Sequence, residues 1–162
     1  MEEITIVDCD CKDSLYYELF YTRAALIDKN NVLVERHLDG SILLPGTIYV
    51  NSDLEHIMSH LKYKLGVNYN ADELSKIFLV NHFQGDIPFD DSFVFRKAIT
   101  SYFLGKYKGI DFTLARDIDC SSFKFMDIDE LIEMTSIKSK NEVVDSNNRE
   151  TNKVLKLLKK VE

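Results

Sequence analysis

The segment Asp53–Leu65 constrains the fold most, because its apolar residues repeat with the period of an amphipathic helix. Five apolar side chains recur at offsets of 3, 4, 7 and 11 residues, namely Leu54, Ile57, Met58, Leu61 and Leu65. The polar residues 51–53 supply side chains suited to a helix N-terminus, and Gly66 stands where a helix usually ends. A helix with one apolar face must bury that face against another element, so this segment predicts a layered domain.

The segments around this helix have the composition of β-strands. Residues 16–27 are rich in aromatic and β-branched side chains, and after a turn at 28–31 residues 32–36 form the second arm of a hairpin. Further strands are predicted at 42–46, 76–83, 93–107 and 123–126. Residues 84–91 are acidic and rich in turn formers, which predicts a loop.

The end of the chain is predicted to be helical. Residues 127–134 open on acidic side chains that suit a helix N-terminus. Residues 136–148 are polar and predict a surface connection, and residues 149–161 place apolar side chains on one face of a second helix. The order of elements predicts an α/β domain in which helices enclose a mixed sheet.

Composition limits both the number of domains and the class of function. The 162 residues, of which 45% are hydrophobic, suit a single domain over 1–162 with a helical extension at about 149–161. The formal charge of -7 argues against nucleic-acid binding, and no apolar run reaches the roughly 20 residues of a membrane span. The first residues lack a secretory pattern, so we expect a cytoplasmic location. We therefore expect free thiols at Cys9, Cys11 and Cys120.

Three stretches resemble the Nudix hydrolase family. They are the hairpin over residues 24–36, the Leu-Pro-Gly of residues 44–46 with the helix that ends in Leu-Gly-Val at 65–67, and the strand and acidic helix over 123–131. The resemblance implies an α/β/α sandwich around a mixed β-sheet and a cleft for a nucleotide-derived ligand. It covers most of the chain and leaves residues 149–161 as an addition.

The family's catalytic box reads G-x(5)-E-x(7)-R-E-U-x-E-E-x-G-U, where U is a bulky apolar residue. Its glutamates hold magnesium, which polarises a pyrophosphate linkage and activates water. With Gly66 as the closing glycine, the glutamate positions of the box are occupied by Asn51, His60, Tyr63 and Lys64, and the arginine position by Ser59. A register that starts at Gly46 also recovers no glutamate. Magnesium prefers oxygen anions, so we predict no cofactor and a non-catalytic domain that binds a nucleotide derivative or a protein partner.

The helix nevertheless carries a candidate ligand-binding face. His56, His60, Tyr63 and Lys64 lie on one flank, where Lys64 and the histidines could meet an anionic group directly. Arg23 and Arg36 on the opening hairpin could bind a phosphate through two hydrogen bonds each. The alternatives are a solvated polar helix face and surface ion pairs.

Three other functions are compatible with the sequence. His56 and His60 are spaced to share a zinc ion, although a third ligand would have to come from elsewhere. Asp86, Asp90 or Asp91 could supply the catalytic carboxylate of an atypical Nudix pyrophosphohydrolase, which would use magnesium to act on a nucleoside diphosphate-linked substrate. The helix at 149–161 could bind a protein partner or a second copy of the chain.

Overall fold

The computed structural model describes residues 1–8, 16–89, 92–115 and 122–161, and for residues 16, 86–89 and 92–94 it describes the backbone. Within these residues, eight strands form one mixed sheet and three α-helices cover its two faces. The strands are β1 (Glu2–Val7), β2 (Tyr16–Asp28), β3 (Asn31–Arg36), β4 (Ile42–Leu43), β5 (Gly46–Ile48), β6 (Ser75–Phe89), β7 (Ser92–Lys106) and β8 (Phe123–Asp127). The helices are α1 (Asp53–Leu65), α2 (Ile128–Thr135) and α3 (Glu142–Val161), with a short 3-10 helix at Ala71–Glu73. The predicted α/β sandwich around a mixed sheet is confirmed.

The long strand β2 is the centre of the sheet. The strand order is β1-β6-β7-β2-β3-β4, while β5 pairs with β2 and β8 pairs with β3. The pairs β1–β6 and β2–β7 are parallel, and the remaining pairs are antiparallel. This order places the predicted hairpin of β2 and β3 beside the later strands β7 and β8.

The two faces of the sheet carry separate cores. Ala24 packs with the buried face of α1, whereas its neighbour Ala25 packs with the buried residues of α2 and α3. Consecutive strand residues point to opposite faces, so this alternation divides the molecule into an α1 face and an α3 face.

Helix α1 has the bounds that its apolar period predicts. Its apolar stripe is buried, with Ile57, Leu61 and Leu65 fully enclosed. The Ser52 side chain accepts a hydrogen bond from the backbone N–H of Glu55 at 3.2 Å, as an N-cap does. Gly66 ends the helix with φ of 70°, and a Cβ atom there would lie 2.6 Å from the backbone oxygen of Asp111.

The prediction of a loop over residues 84–91 is wrong for most of that segment. Strand β6 continues to Phe89 and pairs with β7, with a register irregularity between Gln84 and Ile87. Antiparallel pairing with β7 supplies hydrogen bonds that stabilise an extended chain despite Gly85 and Pro88. The turn-forming residues therefore lie within a paired strand that has a register irregularity, and strand β6 does not end at them.

The C-terminal helix begins earlier than predicted. Helix α3 starts at Glu142, so part of the polar connection predicted over 136–148 is helical and packs against the sheet. The backbone N–H of Ile42 donates to Asn148 Oδ1 at 2.8 Å, and the Thr151 hydroxyl donates to the Ile42 carbonyl at 2.7 Å. The partners of Asn148 and Thr151 lie far away in the sequence. The polar residues of this helix therefore look like surface residues in the sequence although the helix buries them.

Strand β1 and the length and polarity of the helices are two further features of the fold. Strand β1, which the sequence analysis did not predict, buries Ile4 and Ile6 against the α3 face. None of the helices in the described part of the chain is both long and apolar enough to cross a membrane.

Replacing Leu61 by Asp should lower the free energy of unfolding by more than about 4 kcal/mol, because the substitution buries a carboxylate without a partner. Chemical denaturation followed by circular dichroism measures the change. The matched control Lys62→Asp alters an exposed neighbour in the last turn of α1 and should lower stability by about 1 kcal/mol or less. Equal stability of the Leu61→Asp and wild-type proteins would show that α1 does not bury this face.

Candidate functional site

A pocket of about 310 Å³ opens on the α3 face, between α3 and the strands β2, β6 and β7. The side chains that define its chemistry are Tyr21, Arg23, Gln84, Arg96, Asn147 and Glu150. Alternate residues of the segment 37–43 form its rim. Its volume lies at the lower end of the range of about 300–1,000 Å³ that small-molecule sites occupy.

Strand alternation explains why Tyr21 and Arg23 reach this pocket. Thr22 and Ala24 point to the α1 face, where the Thr22 hydroxyl donates to the backbone oxygen of Asp53 at 3.0 Å. Tyr21 and Arg23 therefore point to the α3 face. One strand thus anchors α1 and lines the pocket on its other side.

The guanidinium group of Arg23 is held in place by two contacts. Its Nη1 atom donates to the backbone oxygen of Leu44 at 2.8 Å, and its Cζ atom lies 5.5 Å from the centre of the Tyr21 ring. Its Nε atom is buried and has no hydrogen-bond partner in the described part of the chain. The group is therefore held in one orientation at the wall of the pocket.

Arg96 provides a second oriented guanidinium group. Its Nε donates to Gln84 Oε1 at 2.8 Å, and its Nη2 donates to the same oxygen. In the β2–β7 register Arg96 lies beside Tyr17, and Arg23 lies beside Tyr102. Six residues along β2 separate these positions by about 20 Å between Cα atoms, so the two arginines approach the pocket from opposite ends.

Glu150 brings a buried carboxylate to the wall of the pocket. Its Oε1 atom lies 2.8 Å from His82 Nδ1, and its Oε2 atom accepts the hydroxyl hydrogen of Tyr102. The other ring nitrogen of His82 contacts Asp8, whose Oδ2 atom also accepts from the Ser146 hydroxyl at 2.8 Å. His82 is fully buried, so it joins two carboxylates from inside the protein.

These contacts fix the charges of the cluster. Burial lowers the pKa of His82, but hydrogen bonds to Asp8 and Glu150 and their negative charges raise it above its ordinary value. Burial raises the pKa of Asp8, but His82, Ser146 and Arg149 together lower it to about 2. The pKa of Glu150 is likewise lowered by His82, against the effect of burial. The cluster is an imidazolium between two carboxylates.

Ser146, His82 and Glu150 resemble a serine nucleophile with its base and carboxylate, since Ser146 Oγ lies 3.1 Å from His82 Nε2. A general base must have a free lone pair to accept the serine proton. In the imidazolium form both ring nitrogens of His82 carry a proton, so Nε2 donates to Asp8, and the Ser146 hydroxyl itself donates to Asp8. The arrangement therefore clamps the elements together and does not activate Ser146.

The structure places the predicted ligand-binding residues in three parts of the molecule. The residues on α1, which are His56, His60, Tyr63 and Lys64, belong to a helix on the other face of the sheet from the pocket. His56 Nδ1 lies 3.0 Å from the backbone oxygen of Ser52, and the Tyr63 side chain is 52% exposed. Arg23 lines the pocket, whereas Arg36 is exposed at the end of β3.

The sequence analysis missed the other residues of this site. Arg96, His82 and Glu150 are isolated polar residues in their segments, and their partners are far away along the chain. The one local signal is a polar residue at an alternating strand position that is otherwise apolar, as at His82 after Phe78 and Val80. Such a signal identifies a buried polar group but not its partner.

Several other predictions concern residues whose positions the structure does not describe. Asp90, Asp91, Cys9, Cys11 and Cys120 lie outside the described residues, and Asp86 is described by its backbone. Among the described residues, no group of three or more His, Cys, Asp and Glu side chains is arranged to hold a metal ion. The zinc hypothesis for His56 and His60 therefore lacks a third ligand within that part of the chain.

The charge state of the cluster predicts how stability depends on pH. The contribution of His82 is complete below its unfolded pKa of 6.5 and is lost as pH rises through its higher folded pKa. The contributions of Asp8 and Glu150 are complete above their unfolded values of 3.8 and 4.5 and are lost as pH falls through their folded values. Urea unfolding at a series of pH values should therefore show greatest stability between pH 4.5 and 6.5 from this cluster.

His82→Gln should lower the free energy of unfolding by about 3–5 kcal/mol near pH 6, because it removes the buried cation that the carboxylates of Asp8 and Glu150 share. It should also remove the decline above pH 6.5 that comes from His82. The control His37→Gln changes an exposed histidine at the pocket rim and should leave the profile as in the wild type. If the stability of His82→Gln falls above pH 6.5 as much as that of the wild type, His82 is not the group whose titration causes the loss.

Comparisons with known proteins bear on the fold. No protein-family model matches the sequence, and a search of curated proteins finds no match. Among solved structures, a Nudix family hydrolase from Clostridium perfringens is similar with a TM-score of 0.50 and 13% identity, over 86% of this chain and 97% of that one. A MutT protein from Bacillus halodurans has a TM-score of 0.49 and 16% identity, over 72% of each chain. A MutT protein from Methanosarcina mazei has a TM-score of 0.49 and 14% identity, over 83% of this chain and 93% of that one.

At these identities the likeness concerns the fold alone, and the C. perfringens structure carries it. The match includes almost the whole of that hydrolase, in agreement with the mixed sheet and the helices on its two faces. The resemblance inferred from the hairpin, the Leu-Pro-Gly segment and α1 is thereby confirmed at the level of the fold: the chain has a Nudix-like fold.

Proposed function

We propose that this chain is a non-catalytic Nudix-like domain that binds a nucleotide-like phosphorylated ligand without a metal ion, in the pocket between α3 and strands β2, β6 and β7. The observation that carries this proposal is the pair of oriented guanidinium groups, Arg23 and Arg96, at opposite ends of that pocket. Guanidinium groups bind phosphate through paired, charge-assisted hydrogen bonds. Their existing contacts reduce the entropy that would be lost on binding.

The chemistry of α1 supports a domain without catalysis. In the register closed by Gly66, the box glutamates are replaced by neutral or basic residues, including His60, Tyr63 and Lys64. The acidic residues of α1 lie in its first turn, where Asp53 pairs with Lys76 at 2.8 Å. This donor set does not fit magnesium, which requires several oxygen ligands.

The shape of the pocket suits an elongated ligand. Between the two arginines, β7 contributes Ala98 and Thr100, whose small side chains leave space above the sheet. Tyr21 adds an aromatic wall beside Arg23. A phosphate at one end and a flat or polar group at the other match this distribution of charged, small and aromatic side chains.

Arg96→Gln should weaken the binding of a nucleoside phosphate at least tenfold, because a charged hydrogen bond contributes about 1.5–3 kcal/mol. Titration calorimetry with AMP and ADP-ribose in EDTA measures the effect. Wild-type binding should need no metal and should weaken as salt increases, since part of the attraction is screened. Tight binding only after addition of magnesium, together with turnover of ADP-ribose, would contradict the proposal and favour the pyrophosphohydrolase that uses Asp86, Asp90 or Asp91.

A pair of variants on α1 tests whether the ligand binds in the pocket or on this helix. Lys64→Glu reverses a charge on the flank that the sequence analysis identified, and Lys62→Glu makes the same change at a neighbouring exposed position of the helix. If the ligand lies in the α3-face pocket, both variants should bind AMP and ADP-ribose within about threefold of the wild type, as sites on the far face are screened. If Lys64→Glu loses binding and Lys62→Glu does not, the phosphate binds at α1 and not in the pocket.

A further inference from the structure

We infer that Glu150 recognises the end of the ligand that carries no phosphate, by accepting a hydrogen bond from an N–H group of a nitrogenous base. This inference rests on the proposed function. Glu150 would therefore determine specificity, whereas Arg96 would hold the phosphate. Glu150 lies in the pocket wall, has unused acceptor capacity and has charged neighbours.

The carboxylate of Glu150 is buried yet lines the pocket. Glu150 is 7% exposed, and it is one of the residues that line the pocket. His82 and Tyr102 each use one of its two oxygens. A carboxylate accepts about four hydrogen bonds, so each oxygen retains a lone pair for a donor. The contacts with His82 and Tyr102 also hold the group in one orientation.

The charges around Glu150 determine which end of a ligand it can meet. The cations that face its carboxylate are His82 on β6 and Arg23 on β2, and the hydroxyl of Tyr102 on β7 donates to it. The oxygens of the Glu150 carboxylate accept hydrogen bonds, as do the oxygens of a phosphate dianion, so Glu150 suits an N–H donor and not a phosphate. The phosphate is thereby directed to the other end, where Arg96 is held by an uncharged residue, Gln84.

Arg23 completes a paired recognition surface at the Glu150 end. It lies beside Tyr102 in the β2–β7 register, and its positive charge acts on Glu150. Arg23 also lines the pocket, so its guanidinium group can supply a donor near the Glu150 acceptor. A carboxylate beside a guanidinium matches the edge of a nucleobase, which presents an N–H group next to a carbonyl or a ring nitrogen.

Calorimetry on the full chain tests this inference with five phosphates: AMP, GMP, CMP, UMP and ribose 5-phosphate, which lacks a base. In the wild type, at least one nucleotide should bind about tenfold or more tightly than ribose 5-phosphate. Glu150→Gln should reduce that preference about tenfold, because a charged acceptor is replaced by a neutral one. The affinity for ribose 5-phosphate should be unchanged or increased.

A matched control and a second ligand protect the test from effects on folding. Tyr102→Phe removes a hydrogen bond from Glu150 but leaves its carboxylate, so it should retain the preference for a base. In the wild type, purine riboside 5′-monophosphate, whose base has no N–H donor, should bind at least about tenfold more weakly than the tightest of the four nucleotides. This comparison holds even if Glu150→Gln fails to fold.

The outcomes separate the inference from the proposal on which it rests. If ribose 5-phosphate binds as tightly as every nucleotide, or if Glu150→Gln keeps the full preference, the pocket binds phosphate but Glu150 does not read a base. If neither these five compounds nor ADP-ribose binds the wild type, the proposed function fails and the inference fails with it. A parallel loss of affinity for all five in Glu150→Gln would assign Glu150 a structural role alone.

Discussion

The buried imidazolium of His82 joins three elements that are distant in sequence. Asp8 lies just after β1, His82 lies on β6, and Glu150 lies on α3. Each carboxylate would be costly to bury alone, and the shared cation makes both burials possible. The position of α3 over the sheet, and with it the wall of the α3-face pocket, depends on this arrangement. The same contacts orient the Glu150 carboxylate, so one electrostatic cluster supports the fold and shapes the site.

The sheet separates the α1 face, which has the Nudix-like helix, from the α3 face, which has the pocket. The resemblance alone would place the helix and the ligand cleft together. On one face, α1 keeps the helix and the closing glycine of the Nudix pattern but carries His60, Tyr63 and Lys64 in place of metal-binding carboxylates. On the other face, the pocket holds oriented arginines and a buried carboxylate. Strand β2 serves both faces through the alternation of its side chains. Loss of the metal ligands on α1 is therefore compatible with a binding site on the α3 face.

The net charge of -7 is a poor guide to the local chemistry of this pocket. The acidic surplus argues against an extended basic surface, as nucleic-acid binding requires. A small ligand, in contrast, meets a few side chains at close range in an environment with less water, where oriented guanidinium groups act strongly. The two observations are consistent, because the first concerns the whole surface and the second concerns one pocket.

The sequence by itself determined the elements whose signals are local. The apolar period and the capping residues gave α1 its bounds, and the turn at 28–31 marked the hairpin of β2 and β3. Of the six predicted binding residues, Arg23 lines the pocket. Tertiary structure alone decided the early start of α3, the extension of the β6–β7 hairpin and the meeting of His82 with Asp8 and Glu150. These features depend on partners 74 and 68 residues away from His82, or on hydrogen bonds from a neighbouring strand, and no local pattern of polar residues specifies such partners.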